Sequence, residues 1–219
     1  MGFTFCKLEA EAIRQHTGAA GSFFTLKRYN KSKRAATQKL ASVPYRFGEV
    51  RHQESELIVV PATSSERRRY IPIGFLPAGT VVNNAAQVIF TSAFDLFGIV
   101  TSYMHMLWVK TVGGRLKTDY RYSASLCYNT FPFPRISERQ REELAELAQN
   151  IIFQREMHSE KTLAELYDPE KMPEELKEAH HQLDLAVERC YRSTPFKSDE
   201  ERLEHLFNLY ERMIAAEGR

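Results

Sequence analysis

Two phenylalanine–proline pairs near the middle of the chain divide its sequence into two parts of different character. The segment Phe131-Pro132-Phe133-Pro134 stops any helix and restricts the backbone of the residues before each proline. After it, the residue pattern is helical throughout. Before it, short runs typical of strands lie on both sides of one long apolar stretch. We therefore predict an α+β protein with a mixed β-sheet domain with packed helices over residues 1–134 and an α-helical region over residues 135–219.

Capping residues and apolar spacing predict the helices of the second part. The predicted helix starts are Ser137 with Gln140, Thr162, Pro173, and Ser198 with Glu201. The apolar stripes of these helices can bury one another and one face of the preceding domain.

The first part predicts short strands around a longer helix. The predicted elements are a helix over 32–41, strands over 57–60, 70–75, 81–82, 87–90 and 120–128, and a helix over 94–111. The segment Asn83-Asn84-Ala85 reads as a turn between two strands.

Charge is distributed unevenly between the two parts. Residues 1–134 contain 17 lysines and arginines against 8 aspartates and glutamates, a net charge of +9, whereas residues 135–219 contain 13 against 20, a net charge of −7. The cations cluster at residues 27–39, 67–69 and 115–121. This pattern favours a polyanionic partner for the first part, although a mixed surface without a partner gives the same totals.

Composition excludes several classes of protein. No apolar run is long enough to cross a bilayer, and the first residues do not resemble a signal peptide, so we expect a cytoplasmic protein. The three cysteines, Cys6, Cys127 and Cys190, are far apart and odd in number. They do not predict a disulfide framework or a metal site.

The segment from Val112 to Ser123 is the strongest candidate for a binding surface. It combines two glycines, three cations, one carboxylate and two tyrosines, residue types that bind phosphates and base edges. A second interpretation remains open at this point: Gly113-Gly114 could end a helix, and Tyr120 and Tyr122 could be strand residues that face the core.

No catalytic motif accompanies this segment. The sequence has no GxGxxG, phosphate-binding loop or HExxH pattern. We therefore expect no catalytic residues and no enzymatic activity of this chain alone.

Four ordered segments of the first part point to a family. They are RRYIPIGF at 68–75, FGIVTSYMHMLW at 97–108, GRLKTDYRYS at 114–123 and YNTFPFP at 128–134. This series resembles the target-recognition domain of MmeI-like single-chain restriction–modification enzymes, types IIG and IIL, and of their methyltransferase relatives. Segments at 163–169, 172–173 and 183–187 resemble the C-terminal helical region of the same family. The resemblance covers roughly residues 30–215 and leaves residues 1–25 unmatched.

The resemblance implies sequence-specific recognition of double-stranded DNA. Family members carry an adenine-N6 methyltransferase domain that binds S-adenosylmethionine, and restriction members add a nuclease. Neither is present in this sequence, so the resemblance implies a specificity piece whose partners are DNA and the methyltransferase domain of a parent protein. That parent would act at the nucleoid of a bacterial or archaeal cell.

The resemblance also assigns the site. In this family one coupled pair of determinants matches Lys117 and Asp119, and another determinant region matches the turn at Asn84 and Ala85. In an extended loop, residues two apart point the same way, so Lys117 and Asp119 are expected to face one base pair. Lysine donates to guanine and aspartate accepts from cytosine, which predicts a reader of one G·C pair. The expected phosphate-binding residues are Arg115, Arg121, Arg67 and Arg68.

Two other functions remain as alternatives. One is a protein-interaction or scaffold module that docks through its acidic helical half, with only incidental DNA contact. The other is an enzyme with an unrecognised site.

Overall fold

The computed structural model of the chain describes residues 30–42 and 53–217. Of these, residues 55–77 and 82–217 belong to one compact unit, and residues 30–42, 53–54 and 78–81 belong to a second. The second unit contains helix α1 (Ala35–Lys39), which continues as a 3₁₀ turn. Ser32 precedes this helix and accepts a hydrogen bond from the backbone N–H of Arg34. The predicted helix over 32–41 is thus present in a shorter form.

A central strand, β1 (Leu57–Pro61), organises the first of two antiparallel sheets. It pairs on one side with β3 (Gly74–Leu76) and on the other with β4 (Ala86–Ile89). Ile58 and Val60 of β1 are fully buried. The strand predicted over 70–75 begins only at Gly74, as β3, although Tyr70, Ile71 and Ile73 are buried. Residues 81–82, which were also predicted to form a strand, are not in one.

A bend at Ala62 carries the chain from the first sheet into the second. The second sheet has the order β2-β6-β5, where β2 is Thr63–Ser64, β5 is Gly114–Leu116 and β6 is Asp119–Arg121. The predicted strand over 120–128 is wrong beyond Arg121. Residues Ala124–Tyr128 form one π-helical turn instead, because Ser123 caps it by accepting from the backbone N–H of Leu126.

The predicted helix over 94–111 is two helices, α2 (Phe94–Thr101) and α3 (Tyr103–Val112). The break is at Ser102, whose backbone is extended. Its hydroxyl donates to the carbonyl oxygen of Ile99 at 2.7 Å and accepts from the N–H of His105 at 3.4 Å. Ser102 therefore ends one helix and begins the next.

The helical second part matches its sequence prediction closely. Its helices are α4 (Glu138–Glu156), α5 (Leu163–Leu166), α6 (Glu174–Tyr191) and α7 (Asp199–Glu217). Complete capping boxes form at Ser137 with Gln140 and at Thr162 with Glu165. The chain is α+β, as predicted. In the described part of the chain, no helix combines the length and the apolar content that a membrane span requires.

Two apolar clusters hold this unit together; helices contribute to both, and strands contribute to the second. Helices α2, α4 and α6 pack against one another. Large members of the first cluster are Trp108, Phe131, Leu144, Leu176, Leu183 and Leu206. Members of the second are Ile58, Val60, Ile73, Phe97, Val109 and Tyr122. The C-terminal helices therefore share a core with the segments that precede Pro134.

The carboxylate of Asp184 on α6 links the helical part to the preceding segments. It accepts from the backbone N–H of Tyr103 at 2.7 Å and from the hydroxyl of Tyr70 at 2.8 Å. The guanidinium of Arg69 lies beside this pair, 4.2 Å from the centre of the Tyr103 ring. Burial raises the pKa of Asp184 to about 6, against the lowering effect of these hydrogen bonds and of Arg69.

The raised pKa of Asp184 predicts a pH dependence of stability. Because the folded-state pKa lies above the unfolded value, protonation favours the folded state, and this contribution is lost as the pH rises through about 6. Between about pH 7 and pH 5 we expect the free energy of unfolding of the wild type to rise by about 1 kcal/mol relative to that of Asp184→Asn. Chemical denaturation at a series of pH values measures this difference.

The control for loss of one negative charge is Glu146→Gln, at an exposed position on α4. A difference between wild type and Asp184→Asn that stays constant over this pH range would contradict the assignment.

Gly113 makes the passage from α3 into β5 possible. Its N–H donates to the carbonyl oxygen of Val109 at 2.9 Å, and a Cβ atom at this position would overlap that oxygen. At Gly114 a Cβ atom would meet only the Cβ atom of Arg121, at 3.7 Å.

We therefore expect Gly113→Ala to lower the free energy of unfolding by about 1–3 kcal/mol, as overpacking does, and Gly114→Ala to lower it much less. The two midpoints of urea unfolding test this. Equal losses would show that the close approach at Gly113 does not constrain the fold.

Candidate nucleic-acid interface

Strands β5 and β6 form a hairpin whose two-residue turn is Lys117-Thr118. Leu116 and Asp119 form the residue pair that flanks the turn on its two sides. Lys117 adopts a φ of 57°, the only positive φ of a non-glycine residue in the described part of the chain. A positive φ at the first turn residue alone is the sign pattern of a type II′ turn. Lys117 and Asp119 therefore do not lie in an extended loop, and the alternation of an extended strand does not apply across this turn.

Strand register divides the side chains of the hairpin between two faces, because directly paired residues share a face. Tyr120 is buried, so its neighbours in β6 point to the opposite, solvent-exposed side. We name this side the outer face. Its residues, by pairing, are Thr63, Gly114, Leu116, Asp119 and Arg121.

Two tyrosines anchor the hairpin in the core. Tyr120 and Tyr122 are both buried, as the alternative interpretation of this segment proposed. The hydroxyl of Tyr122 is hydrogen-bonded to Nε2 of His105 at 3.1 Å. Burial lowers the pKa of His105 to about 3, so this imidazole is neutral at physiological pH. These tyrosines hold the hairpin and do not offer their rings for stacking on bases.

Arg115 lies on the side of the hairpin opposite the outer face. It pairs with Tyr120, and its guanidinium lies 4.1 Å from the centre of that ring. One of its nitrogens, Nη1, donates to the carbonyl oxygen of Thr118 at 3.1 Å. Arg115 and Arg121 were both predicted to bind phosphates, but the register places them on opposite sides of the hairpin.

The second segment predicted to read bases is a tight turn next to the same sheet. The Asn83 carbonyl accepts from Ala86, and its side-chain oxygen accepts from the N–H of Ala85 at 2.9 Å. This confirms the turn predicted at residues 83–85, and Asn84 and Ala85 are both exposed.

Ala62 joins this turn to the hairpin. Its N–H donates to the carbonyl oxygen of Ala85 at 2.9 Å, and its own carbonyl accepts from the N–H of Tyr122 at 3.0 Å. The fold therefore brings together two predicted segments that lie more than thirty residues apart in the sequence.

Arg67 and Arg68, predicted to bind phosphates, lie against the helical part. Arg67 forms an ion pair with Glu170 at 2.5 Å, with both side chains mostly exposed. Nη2 of Arg68 is 3.5 Å from the carbonyl oxygen of Ala164. These two arginines thus differ in their contacts from Arg121, for which no ion pair occurs within the described residues.

Two residues of the outer face were missed from the sequence. Thr63 pairs with Arg121, and Leu116 pairs with Asp119. Leu116 lies next to the predicted pair in the sequence, but its apolar side chain favoured a core position. Only the register of the hairpin shows that it faces solvent.

Comparison with known proteins places the chain in a family. The model of the MmeI target recognition domain matches residues 9–135, and the model of the MmeI C-terminal domain matches residues 136–216. DNA methyltransferase A of Bacillus subtilis (strain 168) is 52% identical over 183 residues, which are 84% of this chain and 21% of that protein. The solved structure of the type IIL restriction–modification enzyme MmeI in complex with DNA matches with a TM-score of 0.84 and 37% identity.

The MmeI match covers 90% of this chain and 26% of the MmeI chain, so the chain spans only about a quarter of the length of these two relatives. The first family model ends at residue 135 and the second begins at residue 136, directly after the segment Phe131–Pro134. They confirm the resemblance that the ordered sequence motifs indicated, but the match begins at residue 9, so residues 9–25 are not unmatched as expected. The chain belongs to the MmeI family and comprises its target recognition and C-terminal domains.

Proposed function

We propose that this chain reads a specific sequence in double-stranded DNA. The observation that carries the proposal is the junction at Ala62, which joins the turn of Asn84 and Ala85 to the sheet that presents Asp119 and Arg121. The hairpin of β5 and β6 is a two-stranded ribbon, and such a ribbon fits the major groove, where carboxylates and guanidinium groups distinguish base pairs. Family membership, and the DNA present in the MmeI structure, support the same proposal.

The recognised DNA would be the substrate of a parent enzyme. We propose that the parent is a site-specific DNA methyltransferase, with or without a nuclease, that transfers a methyl group from S-adenosylmethionine to adenine N6. The match to DNA methyltransferase A supports the methyltransferase class. The parent's catalytic domain would bind the cofactor and would receive the target base after it is flipped out of the duplex. This chain would direct that domain to its site on the DNA.

Selection of duplexes from a random pool by the 219-residue chain tests the proposal. We expect the bound duplexes to be enriched in one sequence motif. Bound duplexes that show no enriched motif at any salt concentration would contradict the proposal. A scaffold module that binds proteins through apolar contacts would show little salt dependence, whereas phosphate contacts weaken steeply as salt rises.

The ion pair of Arg67 predicts unequal contributions from the arginines. Because Arg67 already forms an ion pair with Glu170 and Arg121 forms none with the residues that the structure describes, Arg121→Ala should reduce the slope of log affinity against log salt by about one. Arg67→Ala should reduce it by less. Fluorescence anisotropy on one selected duplex at several salt concentrations measures both slopes. Equal reductions would show that Arg67 leaves Glu170 to bind phosphate.

Lys117 and Asp119 remain the predicted base-reading pair, now placed around a turn. Exchanging donor and acceptor in Lys117→Glu with Asp119→Arg should replace the preferred G·C pair by C·G at one position, with a preference of about 1–3 kcal/mol. Each single change should bind worse than the double change, because it leaves one mismatched charge at the groove. Repeated selection reads out the motif. An unchanged motif, or changes at several positions, would remove this pair from the recognition mechanism.

A further inference from the structure

Leu116 is an apolar side chain on a surface that is otherwise built for hydrogen bonding. It is 52% exposed, although leucine is one of the residue types most often buried. It lies at the end of β5, where the hairpin turns. The hairpin itself is anchored by Tyr120 and Tyr122, so Leu116 is not needed to fill the core.

The register fixes what surrounds Leu116. It pairs directly with Asp119, and Arg121 lies two residues further along β6 on the same outer face. Thr63 pairs with Arg121 across β2. The outer face thus offers a carboxylate, a guanidinium, a hydroxyl and one large apolar group, while Arg115 is held on the opposite side by the Tyr120 ring.

The chemistry of the major groove contains one matching apolar group. Base edges there present hydrogen-bond donors and acceptors, and thymine adds its C5-methyl group. We propose that Leu116 contacts a thymine C5-methyl and so selects thymine at one position of the recognised site. This inference rests on the proposed function of the chain in reading DNA, and it assigns a specificity role to a residue next to the predicted pair.

Replacement of thymine by deoxyuridine removes that methyl group and leaves every hydrogen-bonding group unchanged. Duplexes selected by the wild-type 219-residue chain are synthesised with deoxyuridine at each thymine in turn, and affinities are measured for wild type, Leu116→Ala and Leu185→Ala. Leu185 is an exposed leucine on α6 and serves as the matched control. The unfolding midpoint of each variant confirms that it is folded.

At one thymine, wild type and Leu185→Ala should each lose about fourfold in affinity on substitution, the loss expected for one buried methyl group. Leu116→Ala should bind the two duplexes equally. A thymine preference that persists in Leu116→Ala, or a wild-type site at which no thymine methyl affects binding, would overturn the inference and leave the proposed function intact. Failure of the wild type to select any motif would overturn the proposed function as well.

Discussion

The buried carboxylate of Asp184 is the interaction on which the arrangement of this unit depends. A carboxylate removed from water costs several kcal/mol unless hydrogen bonds replace its hydration. Asp184 obtains them from the first residue of α3 and from Tyr70, so α6 must lie against both. The position of α3 in turn determines where the hairpin begins, because Gly113 follows α3 directly. A residue of the C-terminal helices thereby helps to position the sheet β2-β6-β5.

A second buried network strengthens the same link. Arg155 on α4 donates to the carbonyl oxygen of Ile73 at 2.7 Å and to the hydroxyl of Tyr167, which is hydrogen-bonded to His180 at 2.7 Å. Burial, and then the charges of Arg155 and Arg69, keep the pKa of His180 well below its ordinary value. The Tyr70 ring stacks on the His180 ring with centroids 4.1 Å apart. The acidic helical part is therefore a structural support for the basic part.

The sequence predicted those features of the fold that depend on contacts between residues close together in the chain. The capping box at Ser137, the helix start at Thr162 and the turn after Asn83 depend on residues within three positions of one another, and all three formed. The break at Ser102 was not predictable from apolar spacing, because buried residues continue on both sides of it.

The candidate site shows the same division between local and distant contacts. A positive φ at a lysine is rare, so the turn at Lys117 was not expected from composition. The partners of Arg67 and Arg68 lie about one hundred residues away, at Glu170 and Ala164. Likewise, pairing with β2 and β5 determines which residues share the outer face with Asp119. The sequence motifs identified residues 112–123 as the candidate segment, but the register was needed to say which of its side chains share the outer face.

In the proposed function, the outer face of the hairpin and the turn at Ala85 meet the same stretch of DNA. A crystal structure of the chain bound to its selected duplex tests this most directly. We expect the hairpin to lie in the major groove, with Asp119 within hydrogen-bonding distance of a base edge and Ala85 in contact with the same site. DNA bound elsewhere on the molecule, with the outer face of the hairpin open to solvent, would contradict it.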